Sequence, residues 1–117
     1  MTYNPDNIFA RILRDELPST RVYEDDEFIA FKDIAPSAPV HVIVIPRGQP
    51  PVSPAGLSEE DAPLVGRMVV AATSIARSLG LDERGYRLVM NCGEDAGQSV
   101  LHLHLHILGG QPLGPLA

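Results

Sequence analysis

Apolar residues change their spacing several times along this chain, and each change predicts an element. Ile8, Phe9, Ile12, Leu13 and Leu17 recur at helical intervals behind Asp6 and Asn7, either of which can cap the first turn; Pro18 closes the segment. Arg21 to Glu24 and Glu27 to Lys32 read as two strands of a hairpin about Asp25-Asp26, with Val22, Phe28 and Ala30 on one alternate set. Prolines make 34–39 a loop, and Val40 to Ile45 is a β-branched strand ended by Pro46. The prolines and glycines between Arg47 and Gly56 exclude regular structure there. Leu64, Val65, Met68, Val69, Ala72, Ile75, Ala76 and Leu79 form a wide helical stripe stopped by Gly80. Ser58 is a possible N-cap for it, but Asp61 is preferred because it leaves Pro63 in the first turn, where a missing N–H costs nothing.

Two further strands follow, Tyr86 to Met90 and Leu101 to Leu108, joined by a loop with Gly93 and Gly97. The order helix, three strands, helix, two strands predicts an α+β domain: a five-stranded antiparallel sheet with two helices on one face. At 117 residues a single domain over 1–117 is expected, with a short apolar tail at about 109–117.

Composition narrows the setting. The net charge of −6, with nine Lys and Arg scattered along the chain, argues against nucleic acid as a partner, which needs a basic stripe. The longest apolar run, around Val42 to Ile45, is too short to span a bilayer, so no membrane association is expected. The first residues lack the basic flank and apolar segment of a signal peptide, and one cysteine, Cys92, cannot form an internal disulfide. The chain therefore reads as cytoplasmic.

The chemistry concentrates at the C-terminal strand. Three of the four histidines, His102, His104 and His106, alternate with Leu103, Leu105 and Ile107. In an extended strand this spacing puts the three imidazoles on one face and the aliphatic chains on the other. A solvated polar face would use Thr, Lys or Glu instead of groups that titrate near neutrality. A metal held by all three rings is opposed by reach, since His102 and His106 are ~13 Å apart along a strand, whereas zinc–nitrogen bonds are ~2 Å. A pair such as His102 and His104, completed by His41 or a carboxylate, remains open. Nucleophilic attack at phosphorus suits the arrangement best: one imidazole attacks while its other nitrogen holds a proton, and a neighbour protonates the leaving group, a role suited to a pKa near 6.5. Gly93 and Gly97 let the preceding loop approach an anion, with the N–H groups of Gln98, Ser99 and Val100 and the Ser99 hydroxyl at hand.

Residues 102–108 match His-φ-His-φ-His-φ-φ, with φ apolar, and so resemble the histidine triad family. Ile8-Phe9, Phe31 to Pro36, Ala38 to His41, Val44 to Pro46, Gly85 to Arg87, Asn91, Gly97 to Val100 and Gly109-Gly110 extend the resemblance toward its nucleotide-binding branch of purine nucleoside phosphoramidases. The resemblance implies a purine nucleotide substrate, no metal or other cofactor, and a homodimer built on the long helix. It implies His104 as the nucleophile that becomes nucleotidylated, His102 orienting it, His106 contacting phosphate or leaving group, and His41 as a fourth active-site histidine. Asp33 would accept from the ribose hydroxyls, Asn91, Gly97, Gln98, Ser99 and Val100 would lie along the phosphate and leaving group, and Ile8, Phe9, Phe31, Ile34 and Ile43 would wall the base pocket. Dinucleoside polyphosphate hydrolysis, nucleotidyl transfer and a nucleotide-binding scaffold role are the alternatives within that resemblance. Two departures stand out. Where some relatives carry a zinc-binding Cys-x-x-Cys, this chain has Asn7 and Ala10, so no structural zinc is expected; and it has no tryptophan near its C-terminus.

Overall fold

The computed structural model describes residues 2–116. Five strands, β1 (Arg21–Glu24), β2 (Phe28–Lys32), β3 (Val40–Pro46), β4 (Tyr86–Val89) and β5 (Leu105–Gly109), form one antiparallel sheet in the order β1-β2-β3-β5-β4. Two α-helices, α1 (Ile8–Leu13) and α2 (Ala62–Ser78), complete the expected α+β architecture, with short 3-10 turns at Pro54–Gly56, Glu59–Asp61 and Glu94–Ala96. The first of these turns lies in the stretch expected to be irregular. No described helix is long and apolar enough to cross a membrane.

The helices do not share a face of the sheet, contrary to the expectation. Met68, Ala72, Ile75 and Ala76 of α2 pack on Phe28, Ala30, Val42, Val44, Leu105 and Ile107, while Phe9 and Ile12 of α1 pack on Ile29, Phe31, Ile43 and Ile45. The continuous apolar runs of β2 and β3 are the reason: both alternate sets are hydrophobic, so both faces need cover. A bulge between Arg21 and Tyr23 lets Val22 and Tyr23 both lean on the α2 side.

Helix boundaries follow local chemistry. Asn7, not Asp6, caps α1, its Oδ1 accepting from Ala10 N–H at 2.9 Å. The helix ends at Leu13 rather than Leu17, because the chain turns through Asp15 at φ 60°. Leu17 still packs against the α1 core. Both cap candidates of the long helix are used: Ser58 N–H donates to Asp61 Oδ2 across a 3-10 turn, and α2 begins after Asp61 with Pro63 in its first turn. At its end Gly80, at φ 77°, donates to Arg77 O while Leu81 donates to Ala76 O and buries its side chain, a Schellman closure.

Met68 is fully buried between α2 and the sheet. Met68→Ala is expected to destabilise the fold by about 2–5 kcal/mol, the usual cost of such a cavity, read as a lowered urea midpoint with an unchanged slope.

Candidate active site

The strand that carries the histidines is shorter than its sequence pattern. Pairing of β5 with β3 runs from Val40↔Gly109 to Val44↔Leu105 and stops. Continued, that register would set Leu103 against Pro46, which has no N–H to give a ladder. Leu103 N–H turns to Pro51 O at 3.1 Å, and the Pro46 carbonyl takes the His102 ring instead, at 2.9 Å. The alternation nevertheless survives without the ladder. Leu103, Leu105 and Ile107 enter the α2 core, and His104 and His106 open onto the other face.

On that face lies a cavity of about 580 Å³ between α1, β2, β3 and the 91–100 loop. Ile8, Phe9, Phe31, Ile34 and Ile43 line one part of it; Asp33, Asn91, Gly97, Ser99, Val100, His104 and His106 line the remainder. Ile12, Leu17, Pro18, Ser19 and Lys32 belong to the wall as well and were not anticipated. Ile12 was findable, one turn after Ile8 on the same helical face; Ser19 and Lys32 carry no sequence signal. Ile34 is 96% exposed and Ile8 53% exposed at this cavity, unusual for large apolar side chains beside a groove.

His102, His41 and Gln98 do not line the cavity; they stand behind it. Gln98 ties the loop together, its Nε2 donating to Val52 O and Val100 O and its Oε1 accepting from Gly93 N–H. Its own N–H goes to Gly93 O at 3.0 Å and is not free for an anion. Among the described residues no protein acceptor takes the N–H of Ser99 or Val100. Gly97, at φ 81°, makes the turn that presents them, and Asn91 Nδ2 braces the loop through Ala96 O.

Hydrogen-bond partners determine where each ring carries its proton. The His102 carbonyl can only accept, so the 2.6 Å contact puts a proton on His104 Nδ1 and leaves Nε2 as an imine nitrogen. No fully buried side-chain nitrogen lacks a partner among the described residues, so this unpartnered Nε2 is open to the cavity. Ser37 N–H donates to His41 Nδ1 at 3.0 Å, so His41 bears its proton on Nε2 and gives it to His106 Nδ1 at 2.9 Å. His106 is thereby left with Nε2–H as its free donor. Asp33 Oδ2 lies 3.4 Å from the same His41 Nε2, while its Oδ1 accepts from Ala35 N–H. Phe9 does more than wall a pocket: its ring edge-packs on His104 at 4.9 Å between centroids and also meets His102.

The same relay bears on metal binding. Asp33, His41 and His106 bring ligand atoms within 4.8 Å of one another. A metal on His41 Nε2 would move that ring's proton to Nδ1, against the Ser37 N–H, so the cluster is built for hydrogen bonding rather than for coordination. The His102 ring has both nitrogens engaged and offers no ligand atom.

Burial lowers all three triad rings below the ordinary histidine value. His102 and His106 are pushed down to about 4, in each case chiefly by desolvation; for His106 the neighbouring His104 and His41 add to the fall. His104 is also lowered, by burial first. The three triad rings are therefore neutral at pH 7, and the acid role expected at an unshifted pKa needs help from a bound anion.

Residues 14–113 match the HIT domain. The chain is 46% identical over 112 residues to the purine nucleoside phosphoramidase of Escherichia coli K12, covering 95% of this chain and 92% of that protein. Among solved structures it resembles a HIT family hydrolase from Clostridium thermocellum (46% identity, TM-score 0.89, 96% of each chain). A histidine triad protein from Clostridium difficile is similarly close in shape (40% identity, TM-score 0.91, 99% of this chain and 100% of that one). The histidine relay and these likenesses agree: the chain belongs to the HIT domain family.

Unfolded, the His102 and His106 rings take up protons below about pH 6.5; folded, they stay neutral down to about 4. The unfolded state thus binds more protons in this window, and stability falls as pH is lowered through it. For the fully buried His102 the loss by pH 4 is roughly 3 kcal/mol. Thermal melts between pH 7 and 4 measure it, and His102→Phe should flatten the slope.

Proposed function

We propose that this protein hydrolyses purine nucleoside 5′-phosphoramidates to the nucleoside monophosphate and the free amine, through a nucleotidyl intermediate on His104, in the cytoplasm and without a metal. The observation that carries the reading is the His104 ring: Nδ1–H held by a carbonyl at 2.6 Å, Nε2 bare toward the cavity. Such an imidazole attacks through Nε2 without having to lose a proton first. The name of the Escherichia coli relative supports the substrate class.

Attack forms the Nε2–P bond and breaks the P–N bond of the substrate. The departing nitrogen needs a proton, and the His41–His106 pair can supply it. An anionic phosphoryl group beside His106 favours the charged form of its ring, offsetting the desolvation that lowers it, and the Asp33 carboxylate acts in the same direction. The Ser99 hydroxyl and the free N–H groups of Ser99 and Val100 receive the phosphoryl oxygens. Water then displaces His104 from phosphorus, releasing the monophosphate and a proton. The apolar wall of Ile8, Phe9, Phe31, Ile34 and Ile43 accepts the purine, which covers the exposed Ile34 and Ile8; Asp33 accepts from the ribose hydroxyls.

A homodimer accompanies this reading. Strand β4 is a bare sheet edge, and α2 turns Val70, 67% exposed, and Val69 outward. Val70→Asp is expected to convert the protein from dimer to monomer in sedimentation velocity; a wild-type monomer at micromolar concentration refutes the dimer.

His104→Asn is expected to cut turnover of a fluorogenic adenosine phosphoramidate by at least about a thousandfold, and brief reaction of wild type with labelled substrate should leave an acid-labile adduct on His104. Turnover should persist in chelator, with its acidic limb below pH 6.5 because the His104 ring is lowered. Unchanged turnover in His104→Asn sinks the nucleophile; nucleotide binding with negligible hydrolysis favours a scaffold role, and faster cleavage of dinucleoside polyphosphates reassigns the substrate.

A further inference from the structure

The N-terminal segment reaches the triad through one side chain. Tyr3 lies 99 positions from His102 in sequence, yet its hydroxyl is 2.7 Å from His102 Nδ1, with the two rings tilted at 60° and 5.6 Å between centroids. The direction of this bond is not optional. His102 Nε2 faces the carbonyl of Pro46, which only accepts, so the neutral ring must carry its proton there and present Nδ1 as a lone pair. Tyr3 O–H therefore donates to Nδ1. The His102 side chain is wholly buried, and its neutral state is kept by desolvation, so both nitrogens are satisfied only while Tyr3 is in place.

The consequence runs to the reacting atom. The carbonyl that holds His104 Nδ1–H is that of His102 itself, in a stretch where the β3–β5 ladder has already ended and ordinary sheet hydrogen bonds no longer fix the backbone. Two things fix it: the Leu103 N–H of the same peptide unit donates to Pro51 O, and the His102 ring is clamped between Pro46 O on one side and Tyr3 on the other, with Phe9 against both imidazoles. We propose that Tyr3 is a positioning residue for the nucleophile: by donating to His102 Nδ1 it locks that ring and, through the His102 carbonyl, the direction of His104 Nε2. Tyr3 touches no substrate in this scheme and does not line the cavity. The proposal rests on the hydrolytic reading of the site for its kinetic consequence, but the lock itself is a property of the folded protein.

Tyr3→Phe removes the hydroxyl and keeps the ring packing. Loss of one neutral hydrogen bond should lower kcat for the phosphoramidate by about tenfold, while KM changes less than about twofold because the cavity wall is untouched. Independently of any substrate, the His102 Nδ1 signal in two-bond nitrogen–proton spectra should move to the position of an imine nitrogen without a hydrogen bond, with the proton still on Nε2. Tyr3→Ala, which also removes the ring, should show the same spectral change and a larger fall in kcat. If the wild-type protein cleaves phosphoramidates and Tyr3→Phe leaves both kcat and the Nδ1 signal unchanged, Tyr3 has no positioning role. A rise in KM with kcat intact overturns it too, since that is the mark of a wall residue. Should the wild type lack phosphoramidate turnover while the Nδ1 signal shifts in Tyr3→Phe, the lock stands and the reaction assignment falls.

Discussion

Everything in the site depends on three aliphatic side chains entering one core. Leu103, Leu105 and Ile107 all pack under α2, and extended backbone leaves the residues between them no choice of side. His104 and His106 are thus placed on the α1 face by hydrophobic burial on the opposite one. Pro46 adds a second constraint at the same place. By ending the β3–β5 ladder it releases the chain around His102 from sheet geometry, and the backbone carbonyl of that residue becomes available to hold the His104 ring. A strand that continued through 101–104 would engage that carbonyl in a ladder bond or turn it to the wrong side.

Burial and hydrogen bonding then divide one residue type into distinct groups. The ring centroids of His41 and His104 lie 5.1 and 5.0 Å from that of His106, and on each of the four imidazoles the partner of one nitrogen sets the state of the other: Ser37 acts on His41, His41 on His106, the His102 carbonyl on His104, and Pro46 with Tyr3 on His102. Desolvation above all keeps the triad rings neutral, with the neighbouring imidazoles adding to the effect at His102 and His106. That leaves His104 Nε2 unprotonated at neutral pH, and in the proposed reaction it makes the His41–His106 acid dependent on an arriving anion. The two-sided core follows the same economy: α2 supports the strands that carry the histidines, and α1 supplies Phe9 and Ile12 to the cavity.

Much of this was legible from residue order. The five strands, the long helix with its Gly80 stop and the alternation of His102, His104 and His106 all follow from local spacing, and each is found. What misled was also local. Leu17 continues the period of α1, but the backbone at Asp15 turns into the left-handed region, and the helix stops four residues sooner. Residues 101–104 have strand-like alternation, but strands exist only where a partner can pair, and Pro46, 57 positions before Leu103, cannot donate. Gln98 has the look of a phosphate-binding residue beside Gly97, and its amide is spent on Val52, Val100 and Gly93.

Residue order alone set the faces: which residues are buried in the strands, which side bears imidazoles, and where glycine allows the loop to turn, because these depend on periods of two and 3.6 and on local backbone freedom. Assignment of α1 and α2 to opposite sides of the sheet, the rim residues Ser19 and Lys32, the proton positions of the four histidines and the contact of Tyr3 with His102 came from the folded chain. Each of these joins groups separated by many residues, and a proton's place on an imidazole is set by whichever donor or acceptor the fold brings within about 3 Å. No local pattern encodes that distance.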